Sequence, residues 1–169
     1  MRRAVHCGQR NAAAPLALLA LSIAFSLCQA QSQGTLQLEL PSLDGSAFIR
    51  LDHFVGKPLV LNFWSSDCPP CIAEMPVLFQ EALQYPQAQF LGIAIEDRRR
   101  AAKFLERHKV TYPQVFALPE TDGIMRRFGN PKGVLPYTVV LTKNHQICQM
   151  KSGMIDATWL QSALANCSP

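Results

Sequence analysis

Acidic residues are missing from the start of this 169-residue chain: none precedes Glu39, while Arg2, Arg3 and Arg10 stand before an apolar stretch from Pro15 to Cys28. At about 14 residues the stretch is too short for an ordinary membrane-spanning helix of roughly 20. A basic start, a short apolar core and Gln29-Ala30 before polar sequence read as a secretory signal over residues 1–30, cut near Ala30. Features of two other signals are lacking. Leu27 is too bulky for a good lipoprotein site at Cys28, and Arg2-Arg3 lies far from the apolar core without the residues that usually follow a twin-arginine pair. An uncleaved anchor is the competing reading, because Ala12 to Ala14 extends the apolar segment.

Excess charge is the next absence. Cleavage removes three arginines and lowers the formal net charge from +4 to +1, which leaves no electrostatic case for nucleic acid or for an acidic membrane as partner. Membrane association is then expected only through an uncleaved N-terminus. The one basic run, Arg98-Arg99-Arg100, has Glu96, Asp97 and Glu106 around it and reads as a solvated helix face; an arginine stacked on a partner is the alternative. No internal repeat, low-complexity segment or long linker follows Gln33, so residues 31–169 read as one compact domain, its core over about 35–164.

Within that domain, alternation at Leu36, Leu38 and Leu40, a turn at Asp44-Gly45 and resumption over 48–51 predict a small hairpin. Residues 58–64 are nearly continuous apolar sequence, as in a strand covered on both faces. After Cys71, apolar positions Ile72, Met75, Leu78, Phe79 and Ala82 recur at helical spacing, with Pro76 inside as an expected kink. A buried strand over 90–95, a helix over 97–108, a short strand over 115–118 and a helix over 121–128 are expected next. Strands over 137–142 and 147–151 and a last helix capped by Asp156 complete an α/β pattern with a mixed sheet.

Cysteines are few after Ala30: Cys68, Cys71, Cys148 and Cys167, an even number in a chain bound for an oxidising compartment. Cys68-Pro69-Pro70-Cys71 directly follows the apolar run and opens the expected helix. Two thiols on one turn can exchange two electrons with another disulfide. Cys68, at the positive end of the helix dipole, is the expected attacking thiolate, and Cys71, one turn inside, the resolving thiol. Half of a zinc site or an inert bridge would use the same spacing. A structural zinc needs four ligands, and no second Cys/His pair of matching spacing is present.

Taken together, Gly56-Lys57-Pro58, Asn62-Phe63-Trp64, Cys68-Pro69-Pro70-Cys71, Glu74-Met75-Pro76 and Gly133-Val134-Leu135-Pro136 resemble the exported TlpA/ResA family of thiol-disulfide oxidoreductases. The resemblance implies a thioredoxin-like fold with a mixed central sheet flanked by helices and an added N-terminal β-hairpin. It also implies no cofactor and a periplasmic enzyme that exchanges with protein thiols and disulfides. Apocytochrome c or copper-site cysteines are the implied clients, and a membrane electron donor the implied source of re-reduction. By position, Cys68 is implied to be the nucleophile, Cys71 the resolving thiol and Pro136 a cis-proline opposite the pair, with Leu135 backbone groups meeting an incoming peptide. Glu74 matches a family acid that accepts the Cys71 proton; otherwise it reads as a surface carboxylate.

Two positions depart from the family. Asp67 stands where Trp is usual before the first cysteine, and Ile72 where a basic residue often follows the second. Pro69 and Pro70 also lack N–H groups, which leaves only Cys71 to donate to the Cys68 sulfur. These three facts predict a thiolate at Cys68 less favoured than in oxidising relatives, and a reductant. Asp67 pointing into solvent with little effect is the other reading. An oxidase or isomerase of exported proteins, and a Cu(I) metallochaperone using the pair, are the competing functions. A peroxidase is disfavoured because Ser65, rather than Thr, stands three residues before Cys68.

From Cys148, five residues of strand advance roughly 16 Å, and eleven residues of helix before Cys167 return roughly 16 Å. That arithmetic predicts a Cys148–Cys167 bridge; two free thiols are the alternative. Cys148, Met150 and Met154, with His145, form another conceivable set of soft copper ligands. His53 and His108 have no partner legible in the sequence.

Overall fold

The computed structural model describes residues 36–168 apart from 109, 111 and 120–122. The chain divides into Met1–Gly34 and Thr35–Pro169; the signal reading falls in the first unit, outside the described residues. In the second, strands β1 (Glu39–Pro41) and β2 (Phe48–Arg50) form the expected antiparallel hairpin. A short 3-10 turn over Leu51–Phe54 follows. Then come β3 (Leu59–Trp64), α1 (Pro69–Gln84), β4 (Gln89–Ile95), α2 (Arg98–Leu105) and β5 (Gln114–Ala117). The chain closes with α3 (Ile124–Arg127), β6 (Tyr137–Leu141), β7 (Ile147–Ser152) and α4 (Ala157–Cys167).

The five-stranded sheet has the order β5-β4-β3-β6-β7. β3 runs parallel to β4 and β4 to β5, while β6 and β7 are antiparallel to their neighbours. All six residues of central β3 are buried, and their alternation divides the core. Leu59, Leu61 and Phe63 face a layer built with Leu38, Leu40, Leu51 and Phe54 of the hairpin region and Phe128 after α3. Val60 faces Leu78 of α1 and Leu160, Ala163 and Leu164 of α4. Trp64, on that same face, packs with Met75 of α1 and with Ala101 and Phe104 of α2. This is a mixed α/β thioredoxin-like fold with an added hairpin.

α1 runs as one helix through Pro76, although proline removes the N–H that would bond the Ile72 carbonyl. Of the helix expected over 121–128, α3 occupies 124–127, and 121 and 122 lie outside the described residues. One reading of the surface is corrected. Glu96 does not lie on a solvated helix face: it precedes α2 and is 5% exposed, because its carboxylate is turned onto the loop before α1. Among the described residues, no helix is long and apolar enough to cross a membrane.

Candidate active site

β3 carries the chain to the end of the sheet, and α1 starts five residues after Trp64 with Cys68 as its N-cap. Pro69 and Pro70 suit the opening turn, whose N–H groups have no helical partner and where a fixed φ costs nothing. Cys68 and Cys71 are joined, with an S–S distance of 2.03 Å and Cα atoms 5.2 Å apart. Cys68 is half-buried and Cys71 fully buried, so an incoming sulfur has access to Cys68. The Cys71 backbone N–H donates to the Cys68 Sγ at 3.2 Å. The helix dipole and this one N–H favour negative charge on that sulfur.

The Leu135–Pro136 peptide is cis. Leu135 and Cys68 pack together against the Trp64, Cys71 and Met75 cluster, so the segment entering β6 lies beside the pair. Pro136 is buried, and its carbonyl accepts the Gly153 N–H at 2.9 Å.

Glu74, three residues into α1 from Cys71, is 1% exposed, so it is not a surface carboxylate. Its Oε1 accepts from Asn62 Nδ2 of β3 at 2.7 Å, and its Oε2 accepts from the Ile155 N–H, just before α4, at 2.9 Å. Asn62 Nδ2 also donates to Thr138 Oγ1 of β6 at 3.1 Å. Burial pushes the Glu74 carboxyl above its ordinary range, and the two hydrogen bonds and the Lys151 charge only partly offset this.

Three participants escaped the sequence reading. Ser66, Glu96 and Arg100 form a polar cluster around Asp67. Glu96 Oε1 accepts the Ser66 N–H at 2.6 Å, and Glu96 Oε2 accepts the Ser66 hydroxyl at 2.6 Å. The Arg100 guanidinium pairs with the Asp67 carboxylate. Asp67 is exposed, as one reading held, yet its charge faces an opposite one. The partners lie some thirty residues apart in sequence, and no local spacing rule links them.

Away from this site, Cys148 and Cys167 are joined, with Cα atoms 5.8 Å apart. Cys148 therefore offers no free thiol for copper, and His145 is buried at the turn between β6 and β7 with a positive φ of 58°. Among the described residues, no three His, Cys, Asp or Glu side chains gather as a metal site. His108 stacks on Phe104, ring centroids 4.0 Å apart, a structural contact.

A thioredoxin-like sheet with a Cys-Pro-Pro-Cys disulfide opening its first long helix, and a cis-proline segment packed beside it, defines a thiol-disulfide oxidoreductase. The sequence pattern of the AhpC/TSA family matches residues 33–150. The chain belongs to that family, with the TlpA/ResA-like thiol-disulfide oxidoreductases. It is similar to the thiol-disulfide oxidoreductase ResA of Geobacillus thermodenitrificans, 30% identical over 126 residues that cover 71% of this chain and 68% of the relative. MTB dsbF superposes with a TM-score of 0.66 at 27% identity, covering 77% of this chain and 94% of that one. A secreted Mycobacterium tuberculosis disulfide oxidoreductase homologous to E. coli DsbE gives a TM-score of 0.63 at 26% identity, covering 76% of this chain and 95% of the other.

Proposed function

We propose that the protein is an exported, periplasmic reductant of disulfides in other exported proteins, with Cys68 as nucleophile and Cys71 as resolving thiol. In the dithiol state the Cys68 thiolate attacks one sulfur of a client disulfide. An S–S bond to Cys68 forms, the client S–S bond breaks, and the departing client sulfur takes up a proton. Cys71 then passes its proton to the Glu74 carboxylate and attacks the Cys68 sulfur. The second client thiol leaves, and the Cys68–Cys71 disulfide remains. The client has gained two electrons from the pair, and a membrane electron donor supplies two more to reduce the Cys68–Cys71 disulfide again. Leu135 and Pro136 hold the client backbone beside Cys68 during the exchange. By family resemblance the clients are apocytochrome c or copper-site cysteines, and residues 1–30 are an export signal removed near Ala30.

The observation that carries the reductant direction is that, among the described residues, one backbone N–H donates to the Cys68 sulfur. Pro69 and Pro70 supply no N–H, so only Cys71 donates, at 3.2 Å. A thiolate with so little support makes the dithiol the less stable state of the pair and the disulfide hard to reduce. Asp67 adds less to this than a bare carboxylate would, because Arg100 pairs with it. Equilibration of the full chain with glutathione buffers should give a potential nearer roughly −270 mV than roughly −120 mV. A value above about −180 mV would assign the opposite direction.

A further inference from the structure

The two residues before Cys68 are held from outside their own loop. Glu96, one residue past the end of β4 and 5% exposed, takes both donors of Ser66 at 2.6 Å. Arg100, in the first turn of α2, pairs with Asp67, and its Nε lies 3.7 Å from Glu96 Oε2. One guanidinium thus lies between two carboxylates, and one of these adjoins the reactive cysteine in sequence. The Asp67 and Arg100 side chains are 68% and 54% exposed, so this ion pair is open to solvent and does not itself hold up the core, whereas Glu96 beside it is buried.

The other charged groups around Cys68 do not replace that guanidinium. The first turn of α1 contains no acidic residue. Glu74 is buried one turn beyond Cys71, with Lys151 as the charge acting on it. Asp97 caps α2 by accepting the Arg99 N–H at 2.9 Å and adds negative charge on the Arg100 side. Leu135 and Pro136, on the β6 side, carry none. With Arg100 removed, the Asp67 carboxylate beside Cys68 would lose its ion-pair partner, and Arg98 and Arg99, on the same turn of α2, form no ion pair with it among the described residues.

We infer that Arg100 is a positioning residue for the exchange reaction, which cancels the Asp67 charge and, with Glu96, fixes the Ser66–Asp67 loop so that the Cys68 thiolate can form. This rests on Cys68 being the attacking thiol. Asp67 and Arg100 act as a matched pair: the arginine makes the acid tolerable next to the nucleophile. Because the pair is exposed, the effect is modest and screened by salt.

The test is the pH dependence of iodoacetamide alkylation of Cys68 in the reduced full chain, with the modified residue mapped by mass spectrometry. Arg100→Gln should move the midpoint upward by about half a pH unit, and the shift should shrink in 1 M salt. Arg100→Lys should keep the wild-type midpoint, and Arg100→Gln with Asp67→Asn should restore it. An unchanged midpoint in Arg100→Gln would overturn the inference, as would a double variant that behaves like Arg100→Gln alone. Alkylation at Cys71 before Cys68 in every variant would instead overturn the assignment of the nucleophile, and the inference with it.

Discussion

Glu74 is held by donors from two other parts of the chain, Asn62 and the Ile155 N–H, and its ionisation is linked to folding through them. The raised pKa means that the folded protein binds a proton here more tightly than the unfolded chain does. The stabilising contribution is therefore complete below the unfolded value near 4.5 and is lost as pH rises through the folded pKa. Glu74→Gln cannot ionise, so its stability relative to wild type should increase between pH 4 and pH 8, as read by urea unfolding of the oxidised protein. A difference that is flat with pH would remove the buried-charge argument. On the proposed mechanism the same substitution also removes the acceptor for the Cys71 proton, and disulfide exchange at pH 7 should slow on the order of 10- to 100-fold, at or below the low end of general acid–base effects. Glu74 was legible as an acid only through the Glu74-Met75-Pro76 resemblance. Its burial was not legible, because one donor lies 12 residues away and the other 81.

At the level of elements, β7 and α4 form a closed unit. β7 leads away from Cys148, the chain reverses after Gly153, and α4, capped by the Asp156 carboxylate at the Trp159 N–H, returns to place Cys167 beside it. Strand and helix rise per residue are fixed by backbone geometry, which is why this pairing could be read from residue counts. The cis-proline segment is the contrasting case: Pro136 alone reads as a strand-edge proline, and only Gly133-Val134-Leu135-Pro136 taken with the other motifs placed it near the pair. The Ser66–Glu96 and Asp67–Arg100 contacts were hidden for a third reason, since they join the ends of two parallel strands whose neighbours are set by sheet order. The Cys148–Cys167 bridge closes a loop of about twenty residues, so replacing both cysteines by alanine should cost roughly 3 kcal/mol of stability. Urea melts should show this while the glutathione equilibrium of Cys68 and Cys71 is unchanged. A loss below about 1 kcal/mol would mean that the bridge contributes little beyond the packing of Leu160, Ala163 and Leu164.

For the molecule as a whole, fold and reactive pair were legible because they depend on patterns that survive without tertiary information. The continuous apolar run of β3, the two cysteines opening the next helix and the alternation of strands and helices together require a sheet whose parallel strands end beside the disulfide. What surrounds the pair was less legible. Glu74, Glu96 and Arg100 are placed by contacts made only after the sheet is assembled. The most direct measurement of the central claim is a trapping experiment in cells that express the whole 169-residue sequence carrying Cys71→Ser. Cys68 should remain joined to a client cysteine in a reducible adduct whose mass includes this chain beginning at Gln31. Adding Cys68→Ser should abolish the adduct. Folded Cys71→Ser protein that yields no mixed disulfide, or yields one that persists without Cys68, would contradict exchange through Cys68.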